Sequence, residues 1–141
     1  MMDAYVIGLD YGTDSVRAVL LNTTTGMEEA TSVHFYKRWS THAFCDPIQN
    51  QFRQHPSDHI EGLENTIKAV LKTSEINPSL VRGITVDTTG SSPLPMADDG
   101  EALAFKKEFE NNPNAMMVLW KDHTALKEAE EINRVAVLGY D

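Results

Sequence analysis

The sequence predicts an α/β domain built on a mixed sheet, in which an antiparallel three-strand meander is followed by helix-linked strands. Three short segments near the start of the chain are apolar or alternate in polarity, and polar turns separate them. A stretch with helical spacing of apolar residues then precedes a fourth apolar strand. This order of elements places helices on the faces of the sheet. With 141 residues, of which 41% are hydrophobic and 23% are charged, the chain has the size and composition of one ordinary domain.

The meander is predicted at residues 4–9, 15–21 and 28–36. The first segment is an apolar run, which is typical of a buried strand. The second and third segments alternate in polarity, so one face of each strand meets solvent. The connecting turns are short and polar, as in an antiparallel meander. The alternation in the second strand runs Val16, Arg17, Ala18, Val19 and Leu20, and the third strand places Ala30, Ser32, His34 and Tyr36 on one side.

Two helices are predicted later in the chain. The first begins at Pro56 and ends before Pro78, because apolar residues recur between these prolines at helical spacing. The second runs from Asp122, a suitable N-cap, to Gly139, a suitable C-cap. The residues expected to be buried are Ile60, Leu63, Ile67, Val70 and Leu71 in the first helix, and Leu126, Ala129, Ile132 and Ala136 in the second.

The remaining segments are predicted to be short strands and loops. Residues 81–87, 93–97 and 116–120 are short apolar runs next to turn-forming residues, which predicts strands. Residues 38–56 are polar and are predicted to be irregular. This segment is longer than ordinary connections between elements. We therefore expect it to have a functional role or to contact another subunit.

The charge and the cysteine count exclude several classes of function. Acidic residues outnumber basic ones by 21 to 12, which gives a net charge of −9 without a basic stripe, so nucleic acid is not an expected partner. Cys45 is the single cysteine, which excludes an intramolecular disulfide and suits a reducing compartment. No apolar stretch approaches the roughly 18 residues of a membrane span, and the first residues lack a signal pattern. We expect a cytoplasmic location and no membrane partner.

The first candidate site is the turn between the first two predicted strands, at residues 10–17. A nucleoside triphosphate requires N–H donors, hydroxyl groups and a magnesium ion held by carboxylate oxygens or water. A tight turn aims successive N–H groups at an anion, and Gly12 permits close approach and a φ that other residues avoid. An ordinary hairpin is the alternative, because Asp-x-Gly is common in turns. The expected phosphate-binding residues are Asp10, Gly12, Thr13, Asp14, Ser15 and Arg17, with Asp10 also holding magnesium through water.

The second candidate site follows the predicted strand at residues 81–87. The segment 87–95 reads Asp-Thr-Thr-Gly-Ser-Ser-Pro-Leu-Pro. Small polar residues at a strand end suit a polyol, whose hydroxyl groups need short donors and acceptors. We expect Gly90, Ser91 and Ser92 to contact a sugar. A loop made of turn-forming residues is the alternative.

These motifs together resemble those of a known family. The pattern Asp-x-Gly-Thr-x-Ser-x-Arg after an apolar strand resembles the first phosphate motif of the FGGY carbohydrate kinases, and it is not a Walker A loop. Residues 54–58, 87–95 and 112–124 resemble the ribulose-phosphorylating branch of this family. In the last segment, Trp120-Lys121-Asp122 resembles the family's Trp-x-Asp-x-Arg element, in which Thr124 replaces the arginine. The resemblance implies that Trp120 and Lys121 bind the sugar, and the missing arginine argues against glycerol and xylulose.

The resemblance implies a ribonuclease H-like fold of the actin-like ATPases, with residues 1–141 as the N-terminal portion of the first of two domains. The implied reaction transfers the γ-phosphoryl group of ATP to L-ribulose, with Mg²⁺, and gives L-ribulose 5-phosphate in arabinose catabolism. The aspartate that accepts the hydroxyl proton is expected beyond residue 141, so we expect no catalytic residue in this chain. A fragment of this kind is expected to be inactive alone and to expose apolar surface that favours a homodimer.

Several alternatives stay open at this point. The full protein could act on D-ribulose or ribitol, or the chain could be a non-catalytic actin-like nucleotide-binding module. A ribonuclease H-like nuclease would need several carboxylates on neighbouring strands, of which Asp10 and Asp87 supply two, and the acidic charge opposes it. His55 and His59 are four residues apart, but Pro56 lies between them and no third ligand is near, so no metal site is expected at these histidines.

Overall fold

The structure, a computed structural model, describes residues 4–138. The main sheet consists of β1 (Tyr5–Tyr11), β2 (Ser15–Asn22), β3 (Glu28–Phe35) and a strand at Val81–Thr88. Between β3 and that strand lie α1 (Lys37–Ser40), β4 (Cys45–Asp46), β5 (Gln51–Gln54) and α2 (Pro56–Ser74). Numbered in chain order, Val81–Thr88 is β6, and it is followed by β7 (Met117–Val118) and α3 (Leu126–Leu138).

The order of strands in the main sheet is β3-β2-β1-β6. The pairs β1–β2 and β2–β3 are antiparallel, whereas β1 and β6 are parallel. A parallel pair requires a crossover connection, which here contains α2. The predicted fold class, a mixed sheet with a three-strand meander and a helix-linked strand, is therefore confirmed.

The core lies between α2 and one face of this sheet. Alternate residues of each strand point to that face, as their period of two predicts. The buried side chains include Ile7 and Leu9 of β1, Val16, Ala18 and Leu20 of β2, Ala30 of β3, Tyr36 and Val70. The predicted alternation in β2 is confirmed, because Val16 and Leu20 are fully buried while Arg17 is exposed.

The helix α2 packs on the sheet partly as predicted, since Val70 is fully buried and Leu63 and Ile67 pack against the core. Its buried side includes Gly62, Thr66 and Val70, which lie four residues apart. The Thr66 hydroxyl donates to the Gly62 carbonyl at 2.8 Å, so this polar side chain is satisfied inside the core. Ile60, which was expected to be buried, is 48% exposed. The prediction failed there because it used hydrophobicity alone, whereas small residues permit the closest approach of helix and sheet.

We expect Gly62→Ala to destabilise the chain. A Cβ atom at this position would lie 2.5 Å from Cγ1 of Val16, a stiff and fully buried side chain. Overpacking of this kind costs about 1–3 kcal/mol, which exceeds the roughly 1 kcal/mol that alanine gains in helix propensity. Urea unfolding of the wild type and the variant measures the difference. Gly83→Ala is the control, because its Cβ would meet Val6 at 4.0 Å; equal losses in both variants would contradict the packing argument.

A second, smaller sheet has the order β4-β5-β7 with antiparallel pairing. The prediction that residues 38–56 are irregular is therefore wrong, since β4 and β5 lie within them and α1 extends into them. The predicted strand at 93–97 is also wrong, because only an isolated bridge joins Met96 to Ala102 there. Pro93 and Pro95 have no N–H group to donate to a strand ladder. The predicted strand at 116–120 is confirmed in part, as the two-residue β7.

The last helix begins four residues later than predicted, at Leu126 rather than at Asp122. Asp122 does not cap it, because the Asp122 carboxylate binds Arg53 instead. The expected buried stripe is not buried: Leu126 is 52% exposed, Ile132 is 66% exposed, and Ala129 and Ala136 are also exposed. The predicted C-cap Gly139 lies outside the described residues. Within residues 4–138, no helix is both long and apolar enough to cross a bilayer.

Candidate functional site

The turn between β1 and β2 has backbone N–H groups that are free to bind an anion. Gly12 N–H donates to the Ser15 carbonyl at 2.9 Å and closes a short connection. Within the described part of the chain, the N–H groups of Thr13 and Asp14 donate to no protein acceptor. The Ser15 hydroxyl donates to Asp14 Oδ1 at 3.2 Å, and Ser15 is 4% exposed. We call residues 12–15 the phosphate turn, because two adjacent free N–H groups in a turn form a small anion-binding surface.

Gly12 does not adopt the left-handed conformation that its sequence context suggested. The positive-φ glycines among the described residues are Gly26 and Gly100. A Cβ atom at Gly12 would lie 3.4 Å from the Ser15 carbonyl oxygen, which is a close but ordinary contact. The expectation that Gly12 takes a φ forbidden to other residues is therefore wrong.

Two carbonyl groups of the phosphate turn are bound from neighbouring elements. Tyr36 N–H donates to the Asp14 carbonyl at 2.9 Å. The side-chain amide of Gln54, which is 1% exposed, donates to the Thr13 carbonyl. The Thr13 carbonyl belongs to the same peptide unit as the free Asp14 N–H, so the bond from Gln54 also fixes the direction of that N–H. The turn is therefore preorganised for binding.

Three charged side chains lie on the sheet face that α2 does not cover. Asp10 is paired with Arg17 across β1 and β2, and with Asp87 across β1 and β6. All three line a cavity of about 610 Å³ on this face. Asp10 and Arg17 come from the predicted phosphate motif. Asp87 is the first residue of the second candidate site at 87–95 and was also considered as a carboxylate of a nuclease. The sheet register brings it beside Asp10.

The donor set on this face suits magnesium. Carboxylate oxygens are the side-chain ligands that Mg²⁺ prefers, and the ion usually keeps several waters. Asp10 and Asp87 supply such oxygens next to the phosphate turn. No group of three or more His, Cys, Asp or Glu side chains within residues 4–138 is arranged to enclose a metal by itself. The arrangement therefore fits an ion that is held mainly by water and phosphate oxygens.

The second candidate site is joined to the first through the backbone. Thr89 N–H donates to the Tyr11 carbonyl at 3.2 Å, so the segment that begins after β6 lies against the end of β1. Val118 N–H donates to the Pro93 carbonyl at 2.9 Å and connects this segment to β7. Gly90 and Ser91 are exposed. The structure thus brings the predicted sugar segments 90–92 and 120–121 into one substructure beside the phosphate turn.

Individual side chains in these segments differ in their exposure. Ser91 has a positive φ of 59°, which is uncommon outside glycine. The Ser92 hydroxyl oxygen is buried without a partner among the described residues. Trp120 is 60% exposed, which is high for a large aromatic side chain. The Lys121 ammonium group lies over the rings of Trp39 and Phe52, at 4.8 and 4.6 Å from their centroids.

A buried ion pair holds the segment that carries Trp120 and Lys121. Arg53 Nε donates to Asp122 Oδ2 at 2.6 Å, with side-chain exposures of 8% and 2%. The same guanidinium donates to the Pro113 carbonyl, to Asn114 and to the Thr124 hydroxyl. Burial by itself raises the pKa of Asp122, but the hydrogen bonds from Arg53, from Thr124 and from the Phe52 N–H outweigh it and hold the pKa well below its usual range. Asp122 therefore remains ionised.

His59 lies in a stack of aromatic rings behind the phosphate turn. Its ring is parallel to Tyr11 within 3° and stacks on Tyr36, with centroid distances of 5.4 and 4.8 Å. His59 Nε2 is 3.0 Å from Gln54 Oε1. Burial lowers the pKa of His59 and raises the pKa of Tyr36. The histidine is therefore neutral at pH 7 and contributes to packing.

Sequence reasoning did not find the roles of Gln54 and Arg53. Both belong to the segment that was predicted to be irregular, and both are buried in β5. The one sequence feature that could have drawn attention to this segment was the polar residue Gln54, which lies next to the helix start at Pro56. Nothing local to that signal showed that its amide reaches a turn 41 residues earlier in the chain.

The sheet order, the parallel β1–β6 pair and the phosphate turn together define the fold of the actin-like sugar kinases. A gluconate kinase from Lactobacillus acidophilus shares this fold, with a TM-score of 0.72 and 17% identity over 94% of this chain and 23% of that one. Residues 5–138 match the N-terminal domain of the FGGY family of carbohydrate kinases. The chain belongs to the FGGY family of carbohydrate kinases.

Two curated relatives refine this assignment. A ribulokinase from Vibrio parahaemolyticus is 49% identical over 136 residues, which cover 96% of this chain and 24% of the relative. A ribulokinase from Anoxybacillus flavithermus is 40% identical over 141 aligned positions, which cover 94% of this chain and 24% of the relative. The chain thus spans about a quarter of the length of these relatives.

Proposed function

We propose that this chain is the N-terminal part of the first actin-like domain of a kinase that transfers the γ-phosphoryl group of ATP to L-ribulose. The product would be L-ribulose 5-phosphate, an intermediate of arabinose catabolism. The observation that carries the proposal is the phosphate turn with its two free N–H groups, joined through Thr89 to the small polar segment at 90–92. Similarity to ribulokinases over nearly the whole chain supports the same substrate class.

In this proposal the phosphate turn binds the transferring phosphate of ATP. The N–H groups of Thr13 and Asp14, the Thr13 hydroxyl and Arg17 act on phosphate oxygens, and Ser15 braces the turn through Asp14. Magnesium would neutralise phosphate charge, and Asp10 would hold it through water. Preorganised donors of this kind stabilise the charge that develops during phosphoryl transfer.

The sugar is proposed to lie against Gly90, Ser91, Ser92 and Trp120. The buried Ser92 hydroxyl offers an unpaired polar group, and the exposed Trp120 ring offers an apolar wall. Lys121 completes the wall through its ammonium group over Trp39 and Phe52. The residue that accepts the proton of the sugar hydroxyl is proposed to lie outside residues 1–141, so we propose that the chain alone does not turn over.

The proposal is tested with the full-length protein that carries this chain. We expect ADP formation with L-ribulose and a phosphate on its terminal hydroxyl, detected by coupled assay and by ³¹P NMR. D-ribulose and ribitol are assayed alongside, because they are the closest alternative substrates; a preference for either would correct the stereochemistry. No ADP formation with any of the three would contradict the kinase proposal, and turnover by the isolated chain would contradict its status as a fragment.

A non-catalytic actin-like module is the second candidate, favoured by the apolar side chains that are exposed on β6 and α3. Ile84 and Val86 are 55% and 58% exposed, and Ile132 is 66% exposed. We propose that the isolated chain pairs through the exposed apolar residues of β6 as a homodimer, since exposed apolar patches favour association. Analytical ultracentrifugation with and without ATP separates the two candidates: a nucleotide-dependent oligomer that binds no sugar would favour the module.

A further inference from the structure

Gln54 connects the phosphate turn to the segments that are proposed to bind sugar. Its side chain is 1% exposed and makes two hydrogen bonds. The Thr13 carbonyl can only accept, so the atom that faces it must be the amide nitrogen of Gln54. The oxygen of the same amide then faces His59 Nε2 at 3.0 Å. His59 must therefore carry its proton on Nε2 and donate it to Gln54.

The rings of Tyr11 and Tyr36 stack on His59 and fix the orientation of its imidazole, which bonds the Gln54 amide. His59 is clamped between Tyr11 and Tyr36, and the Tyr11 hydroxyl also bonds to the His59 carbonyl at 3.4 Å. Tyr11 is the last residue of β1, immediately before the phosphate turn. The Gln54 amide thus accepts a hydrogen bond from His59 with its oxygen and donates one to the phosphate turn with its nitrogen. Gln54 itself is 1% exposed, so its side chain does not face a ligand directly.

The backbone of Gln54 belongs to the small sheet. Gln54 is paired with Met117 in β7, and the neighbouring Leu119 N–H donates to the Phe52 carbonyl at 3.1 Å. Met117 is followed closely by Trp120, and Val118 is bonded to Pro93 next to Ser92. Gln54 therefore contacts the phosphate turn with its side chain, while its backbone pairs with β7, which leads to Trp120 and is bonded to Pro93.

We infer that Gln54 is a positioning residue, which sets the distance between the phosphate turn and the proposed sugar-binding segments. The inference rests on the proposed function. Loss of its two hydrogen bonds lets the turn move relative to β7 while leaving the donors at each site intact. Misplacement of reacting groups by about 1 Å costs up to ~100-fold in rate. The effect is therefore expected in kcat and not in the binding of either substrate.

The first test measures the turn itself in the isolated chain. Gln54→Met has nearly the same length and no hydrogen-bonding amide. We expect faster hydrogen exchange at the amides of Gly12 and Tyr36, which bond within and to the turn, by about tenfold, the usual effect of one lost hydrogen bond. Exchange at Leu20 in the centre of β2 should be unchanged. Equal exchange in wild type and variant, or acceleration at Leu20 as well, would overturn the inference.

The second test measures kinetics in the full-length protein. Gln54→Met is expected to lower kcat by about 10–100-fold with little change in KM for ATP or sugar. His59→Phe keeps the ring stack and removes the donor, so it should lower kcat less. The double variant should match Gln54→Met, because His59 acts through Gln54. An unchanged kcat, or independent effects that multiply in the double variant, would overturn the inference.

The control is Gln51→Met on the same strand. The Gln51 amide also donates to a backbone carbonyl, that of Phe44 at 3.2 Å, but it does not reach the phosphate turn. We expect no change in kcat, and an equal fall in both variants would overturn the inference by showing that any side-chain amide of β5 matters alike. A wild-type protein without kinase activity would contradict the proposed function, while the exchange measurement would still decide whether Gln54 orders the turn.

Discussion

Replacing Asp10 with asparagine is expected to lower kcat of the full-length kinase by at least about tenfold, and by as much as ~1,000-fold if its charge acts mainly in the transition state. Asp10 is exposed on the uncovered sheet face, beside Arg17 and Asp87, at the end of the strand that leads into the phosphate turn. The substitution preserves the shape of the side chain and removes its charge. Steady-state kinetics at several magnesium concentrations measure the effect, and the variant should need more magnesium for half-maximal rate.

Asp98→Asn is the matched control for this experiment. Asp98 is also an exposed aspartate, but it belongs to a separate turn, which the Gly100 N–H closes on the Ala97 carbonyl. We expect its kinetics to equal those of the wild type. Thr13→Ala gives an independent check, because it removes a hydroxyl from the same turn without a change of charge, and it should also lower kcat by at least about tenfold. If Asp10→Asn retains the wild-type rate and magnesium dependence, Asp10 has no part in phosphate transfer.

Arg53→Met is expected to have the largest effect on stability. It would leave the Asp122 carboxylate, which is 2% exposed, buried without its charged partner. Removing one partner of a buried ion pair costs about 3–5 kcal/mol, which is a large part of the total stability of an ordinary domain. Chemical unfolding of the isolated chain measures this loss. Binding of sugar by the full-length protein should weaken as well, because Asp122 directly follows Lys121 and Trp120.

Arg134→Met is the control for the ion pair. Arg134 bonds Glu131 on the surface of α3 with a nitrogen–oxygen distance of 2.5 Å, and both side chains are more than half exposed. Solvent screens such a pair, so we expect no measurable change in stability. The loss of stability in Arg53→Lys should lie between those of Arg53→Met and Arg134→Met, because lysine keeps the charge but cannot make the forked contacts of the guanidinium. Equal stability of Arg53→Met and the wild type would show that Asp122 finds another partner.

The phosphate motif was recognisable in the sequence because its chemistry is local. Asp10, Gly12 and Arg17 lie within eight consecutive residues, and the alternation of β1 and β2 defines which of them share a face. The turn position and the strands on both sides were therefore predicted correctly. The conformation of Gly12 was predicted wrongly, because the same motif is compatible with more than one φ at that residue.

The other wrong predictions concern residues whose partners lie far away in the sequence. Asp122 has the sequence context of a helix cap, but its carboxylate accepts from Arg53 instead. The two residues are 69 positions apart, and only folding of the β5–β7 pair brings them together. Similarly, Ile60 has the hydrophobicity of a core residue, but Gly62 and Thr66 occupy the face of α2 that meets the sheet. Local hydrophobicity does not determine which face a neighbouring element will cover.

The sequence by itself determined the mixed sheet, the phosphate turn and the polar segment after β6. Each of these depends on periodicity or on turn-forming residues within about ten positions, where backbone sterics decide the conformation. The tertiary structure alone decided that Asp87 lies beside Asp10, that Arg53 neutralises Asp122, and that Gln54 joins the phosphate turn to β7. These contacts depend on the register of paired strands and on burial. A buried polar side chain must form hydrogen bonds with whichever groups the fold places beside it.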